Sequence, residues 1–461
     1  MVFFLSRFYL FRTCILIHFL FCSISFANDI RITELPANPK EASYIIQREI
    51  DKCSFAGGGI LTLPAARFVC GTIVIKSGVT LNFPKSCAMV GDTNPDLFPL
   101  QKPANVWYLG REGHHHRALI YAENAENIGL IGEGLIVGQG DVVYKNWAAG
   151  NHAFRWMLVL FTNCQNVKVK GVSMKNSPSW MQLYQGCKNL TISKIQIENF
   201  GAKNCDGLDL DACQNVKIIN CQIDSDDDAL VLKSLSSGKM ENILIKNCRL
   251  SSNCNAFKTG TESQGMMSNI RAKNISISPA SIKSKIYLRQ FGLAGIALTM
   301  VDGGKLENVR LENFTIKGYK VPIFVRQGIR NRTHAGIDSS LKSSVIRNIH
   351  FRKFDIKMES DIPNHITAVD SGHISDLKFE RIVIDYQLVD SLCIGHIRTK
   401  FEENPKTYPE ATTFKNSLPK SIWFLRNIQN ATFSSITIKD AVKSVKANSQ
   451  FVLDKCSGIL F

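Results

Sequence analysis

The chain is written in short apolar runs with a period of two. NVKVKGVSMKN from Asn166, NLTISKIQIEN from Asn189, NVKIINCQIDS from Asn215 and NILIKNCRLSS from Asn242 are copies of one pattern. Each opens on Asn, sets Val, Ile or Leu at alternate positions and is broken by Gly, Asn or Ser. Alternation over four or five residues marks strands with one buried face, not helices. Further copies start at Asn127, Asn269, Asn308 and Asn348, and degenerate ones at Asp376 and Asn430. Between Asn166 and Asn269 the steps are 23, 26, 27 and 27 residues, and around this stretch they lengthen to 39 or 40, which leaves room for inserted loops.

A propeller blade needs roughly 40–45 residues and four strands. A unit of 23–27 residues instead fits three short strands wound once around a parallel β-helix. The fold class is therefore all-β, a single-stranded parallel β-helix. Stacking brings the repeat Asn into register about every 4.8 Å, where an interior amide could bond its copies above and below. The cysteines repeat the logic. Cys164, Cys187 and Cys213 each stand two residues before the Asn, and Cys221 and Cys248 six after it. Ladders of buried thiols are the expectation, with disulfides the alternative in an exported chain. Ala42 to Cys53 carries Ile45, Ile46 and Ile50 at helical spacing before Gly57-Gly58-Gly59. A short amphipathic helix there would cap the open N-terminal end of the solenoid.

Composition is that of a folded protein, with 45% hydrophobic and 20% charged residues. The net charge of +16 is spread thinly, so acidic partners are expected without a nucleic-acid tail. Residues 1–27 differ from the rest: Arg7 and Arg12, a nearly uncharged run from Cys14 to Phe26, then Ser25 and Ala27 before Asn28. This reads as a signal peptide, with an uncleaved membrane anchor as the alternative. One solenoid domain over residues 28–461 follows, secreted or periplasmic, monomeric, and associated with neither membrane nor nucleic acid.

Three neighbouring coils align as NCDGLDLDA from Asn204, DDDALVLKS from Asp226 and NCNAFKTGT from Asn253. Asp228 and Asn255 both lie 13 residues after their repeat Asn and should stack, and Asp206 joins the column if its coil turns slightly longer. Crowded carboxylates disfavour one another's ionisation, so at least one should hold its proton. A protonated acid beside an ionised partner suits glycoside hydrolysis. An Asp-rich calcium turn is the structural alternative. His114, His115 and His116 are consecutive, cannot all face one metal, and read as a solvated loop.

NCDG (Asn204–Gly207) followed by DDDALVLKS resembles the NTDG…GDD signature of glycoside hydrolase family 28, the polygalacturonases and rhamnogalacturonan hydrolases. AGGGILTLPAARF (Ala56–Phe68), GEGLIVGQG (Gly132–Gly140) and VDGGKLENV (Val301–Val309) are similar to further parts of that family. The resemblance implies a right-handed, pectin-lyase-like solenoid and an inverting hydrolase of pectic polysaccharide that needs no cofactor or metal. By position it implies Asp227 as general acid, and Asp206 and Asp228 as the pair that holds and deprotonates water. Two departures matter. Asp226 stands where the family has Gly, and Cys254-Asn255-Ala256 where it has Gly-His-Gly, with no Arg-Ile-Lys in the coil of GIALTMVDGG (Gly295–Gly304). The substrate expectation therefore leans from plain polygalacturonate towards rhamnogalacturonan or oligogalacturonides. Asn255, Lys258, Arg326 and Lys233 are candidate substrate contacts, although alternation puts Lys258 opposite Asn255 unless the backbone bends. A β-helix lyase and a non-catalytic glycan-binding solenoid are the competing readings.

Overall fold

The computed structural model describes residues 28–102, 116–235, 238–332, 343–389, 401–440 and 450–461. The expected signal peptide and the residues His114 and His115 lie outside them. The chain winds as a right-handed parallel β-helix. A 20-stranded and a 12-stranded sheet run the length of the solenoid, and every strand pairing is parallel. One coil illustrates the rest. Leu208–Asp211 belongs to the shorter sheet, Gln214–Ile219 and Gln222–Ser225 to the longer one, and the corner Asp226–Ala229 leads back to Leu230–Ser234. From Lys239 onward the two strands of the longer sheet merge into single bent strands, such as Lys239–Ser252 and Met266–Pro279. The helix Pro39–Phe55 lies at the N-terminal end as expected, started by Asn38, whose side chain accepts from the amides of Lys40 and Glu41, and buried through Ala42, Ile46, Ile50 and Cys53. Among the described residues no helix is long and apolar enough to cross a membrane.

The interior is a stack of like on like. Phe351, Phe379 and Phe433 stack at centroid distances of 4.7 and 4.5 Å, the spacing of neighbouring strands. Cys164, Cys187 and Cys213 are buried, as are Cys221 and Cys248, and all are free thiols. The thiol ladders therefore stand in place of disulfides among the described cysteines.

The repeat Asn corrects the expectation of an interior ladder. The ladder exists, with Asn166 donating to Asn127, Asn189 to Asn166, Asn215 to Asn189 and Asn242 to Asn215 at 3.0–3.1 Å, but it is exposed. Each of these residues sits in left-handed backbone, with φ between 54 and 60°. The coil turns its corner through that residue, and Asn tolerates the conformation because its short amide is satisfied locally. A second outer ladder joins Asn220, Asn247, Asn274 and Asn313. Where Asn is absent from this second corner, Lys194, Lys353, Arg381 and Ser435 still take positive φ, so the bend is set by the coil and Asn is its best occupant.

Candidate active site

The corners that lead into the shorter sheet carry the candidate residues. Leu208 pairs with Leu230 and Leu230 with Phe257, and the amides of Gly207 and Ala229 donate to the carbonyls of Asp228 and Asn255 at 2.9 Å. Asp206, Asp228 and Asn255 therefore occupy one column. Ala229 and Leu230 both enter the core, as do Ala256 and Phe257. The alternation is thus interrupted once in each coil. That corrects the expected opposition of Asn255 and Lys258, since both reach Asp228.

Asp228 is held from three sides. Its Oδ2 accepts from Lys258 Nζ at 2.5 Å, and its Oδ1 from Asn255 Nδ2 at 2.6 Å and the Asn255 amide at 3.1 Å. Burial alone would raise its pKa, but the Lys258 charge and these hydrogen bonds outweigh that and hold it below the usual carboxylate range. Its neighbour Asp227 moves the other way. Burial, then the charge of Asp228, raise its pKa, and the hydrogen bond from the Tyr287 hydroxyl to its Oδ2 and the charge of Lys258 only partly offset this. Asp206 is pushed well above the ordinary range, by burial first and then by Asp209, Asp227 and Asp228. The expected split between a proton-holding and an ionised carboxyl is therefore present in direction.

The cluster is wider than the sequence reading. Asp209, fully buried, faces outward one position beyond the corner, and burial pushes its carboxyl up to about 7 against the opposing charge of Lys233. Lys233 Nζ lies 3.4 Å from Asp209 and 3.1 Å from Glu262, and 4.2 Å from the centroid of the Trp180 ring. Tyr408 receives a hydrogen bond from Lys258 at 3.3 Å. Tyr287 and Tyr408 come from segments outside the repeat, and no sequence signal marked them. Asp209 could have been found, since the run LDLD places it two positions from Asp211 on the same strand.

The remaining candidates fall elsewhere. Arg326 is 1% exposed and lies on a strand two coils further along, where it pairs with Glu403 and donates to Thr367 Oγ1 at 3.2 Å. The structure does not bring it to the carboxylates. Asp226, the extra carboxylate of the corner, turns away from Asp227 and accepts from Asn253 Nδ2 at 2.9 Å. His116 is buried, with its pKa lowered by burial to about 4, so it is no part of a solvated loop. Asp227, Asp228 and Cys254 offer ligand atoms within 4.8 Å of one another. That grouping suits a cation poorly: Asp228 already holds the Lys258 ammonium, Asp227 the Tyr287 hydroxyl, and burial keeps the Cys254 thiol protonated.

The site is thus a cluster of carboxylates on the outer face of a parallel β-helix, paired with two buried lysines. The chain belongs to the glycosyl hydrolases family 28, whose sequence model matches residues 60–398. It is 27% identical over 191 residues to a probable polygalacturonase of Vitis vinifera, a match covering 40% of this chain and 39% of that protein. It is 25% identical over 239 residues to an endo-polygalacturonase of Pectobacterium carotovorum, covering 47% of this chain and 59% of that one. The matches thus span about two fifths to three fifths of those relatives' length. Among solved structures, the family 28 exopolygalacturonase of Yersinia enterocolitica superposes with a TM-score of 0.71 at 14% identity, covering 94% of this chain and 78% of that chain. The polygalacturonase of Erwinia carotovora superposes with a TM-score of 0.56 at 15% identity, covering 94% and 96%.

Proposed function

We propose that this protein is an exported, inverting glycoside hydrolase that cleaves pectic polysaccharide without a metal. The observation that carries the reading is the pair of adjacent carboxyls driven in opposite directions, Asp227 up and Asp228 down. In this reading Asp227 gives its proton to the glycosidic oxygen as the C–O bond breaks. Asp228 takes a proton from the attacking water, which adds to the anomeric carbon from the opposite face. Asp206, raised by burial and then by its neighbours, hydrogen-bonds the same water.

Two features support the leaning towards rhamnogalacturonan fragments or short oligogalacturonides. Lys258 and Lys233 spend their charge on Asp228, Asp209 and Glu262, which favours a neutral sugar at the cleaved bond. Beyond Lys258 the outer face of the shorter sheet is apolar and is covered by Ala411, Phe414 and Leu418, packed on Ala294, Ala297, Val321 and Phe324. A long chain would find that end of the sheet face covered. The test is incubation with polygalacturonate, oligogalacturonides and rhamnogalacturonan fragments, with and without chelator, followed by product sizing. We expect new reducing ends without an unsaturated product, unaffected by chelator and faster on fragments than on the unbranched polymer. Unsaturated products or chelator-sensitive cleavage would make the protein a lyase, and bound polymer without new ends a lectin-like solenoid.

A further inference from the structure

The longer sheet carries a feature that the carboxylate site does not use. Its outer face is organised in columns, one residue from each coil. The column Gly129, Lys168, Thr191, Lys217, Leu244, Arg271, Arg310, His350, Lys378, Thr432 follows from nine successive parallel registers. It contains no carboxylate over ten coils. Arg271, Arg310, His350 and Lys378 are consecutive, at about 4.8 Å per step. Lys217, Arg271, Arg310 and Lys378 are exposed, and among the described residues none of them makes an ion pair. His350 is the one member with a partner, Glu380 at 3.3 Å.

Stacking unpaired like charges at strand spacing is unfavourable, and from the coil of Arg271 onward the columns on either side avoid it, although Lys246 stacks on Lys273 one coil earlier. Lys273, Glu312, Arg352 and Glu380 alternate in sign and are ion-paired at 3.6, 3.0 and 3.3 Å. On the other side Glu307 and Arg347 pair at 2.7 Å. One file of positive charge is therefore left bare between two neutralised files. Beside it runs a groove lined by Asn242, Asn269, Asn308, Asn348, Arg271 and Arg310. The outer amide ladder is interrupted in this groove. Asn269 bonds Asn242 and Asn348 bonds Asn308, but among the described residues no bond joins Asn308 to Asn269. Amide edges that the ladder elsewhere uses up are thus available to hydroxyls.

We infer that this column is a docking track for a linear, carboxylate-bearing polysaccharide, on a different sheet from the cleavage site. The file is one residue wide and runs along the solenoid axis. Its cations repeat at strand spacing and its flanks offer amides, which fits an extended polyanion with hydroxyls along its length. A membrane surface would call for a broad basic patch with apolar anchors, and this column has only Leu244. The identity of the polymer as a pectic uronate rests on the function proposed above.

The test uses the full chain carrying Asp227→Asn, so that hydrolysis plays no part, and affinity electrophoresis through gels containing polygalacturonate or dextran. We expect retardation by polygalacturonate alone, weakening steeply with salt. Adding Arg271→Ala, Arg310→Ala and Lys378→Ala should lower the affinity roughly tenfold or more. The same triple variant on the Asp227 background should melt as the parent does and hydrolyse short oligosaccharides at the parent's rate. The Gln versions of the three substitutions provide a second set should the Ala set fold poorly. Equal retardation of triple variant and parent, no retardation of the parent, equal retardation by dextran, or binding only to phosphatidylglycerol vesicles would each overturn the track. None of these outcomes bears on whether Asp227→Asn has lost activity, which tests the proposed hydrolysis separately.

Discussion

At the residue scale two adjacent carboxyls are driven in opposite directions by their different neighbours. In the proposed reaction Asp227→Asn keeps the shape and removes the proton donor, and general acid catalysis is worth about 10²–10⁴-fold. We expect turnover to fall by that factor, measured as reducing-end release, with an unchanged melting temperature. Lys258 depresses both carboxyls, Asp228 strongly and Asp227 less. In Lys258→Met both pKa values rise, so the base loses its charge at a higher pH on the acid limb and the acid keeps its proton to a higher pH on the alkaline limb. The whole pH–rate profile should move to higher pH, and the unpaired buried carboxylate should cost about 3–5 kcal/mol of stability. Asp209 offers a stability test. Burial raises its folded pKa from the usual carboxylate range to about 7, so the folded state binds the extra proton and stability declines as pH rises across that interval. Asp209→Asn should lose less melting temperature between pH 4 and pH 8 than the parent, as read by thermal denaturation.

At the scale of the element, the corner and the strand obey different rules. The repeat made the strands legible, and with them the column of Asp206, Asp228 and Asn255, because a constant step fixes which residues stack. The repeat did not say which side of the sheet the Asn occupies. Alternation counts positions from the strand, whereas the left-handed residue restarts the count at the corner. For the same reason alternation alone puts Lys258 on the wrong side: Ala256 and Phe257 both turn inward and shift the phase by one, the bend that brings it to Asp228. Tyr287 and Tyr408 could not be read at all, since they sit in segments with no register to inherit. The exposed ladder changes what a substitution should do. Asn215→Leu loses its bonds to Asn189 and Asn242 and pays about 1–2 kcal/mol for a left-handed branched residue. Asn215→Gly loses the same bonds without the backbone penalty. Chemical denaturation should therefore rank the native chain above Gly and Gly above Leu. Equal stability of Gly and Leu would mean that the bend carries no strain.

At the scale of the whole molecule, stability comes from each coil lying on the next. The eleven described cysteines are all free, ten of them buried. Reductant should therefore leave the melting temperature unchanged, and non-reducing denaturation should expose at least eleven titratable thiols. A fall in melting temperature of several degrees on reduction would instead reveal a covalent staple.

The inserted lengths fall at the corners on either side of the shorter sheet. The stretch 280–291, with Tyr287 and Arg289, precedes the strand Gly292–Met300, and the strand Tyr319–Gln327 is followed by Arg330, whose guanidinium pairs with Asp302. The merged strands of the longer sheet run from Lys239 to Asp440 with none of this ornament within them. The floor beneath the carboxylates is thus made by the coil repeat, and the side chains that close over them come from segments that the repeat does not need. Such a protein can trade those segments with a relative, or lengthen them, while its spine stays in register. In the proposed function, preference for one sugar over another is then free to drift faster than the scaffold that presents it.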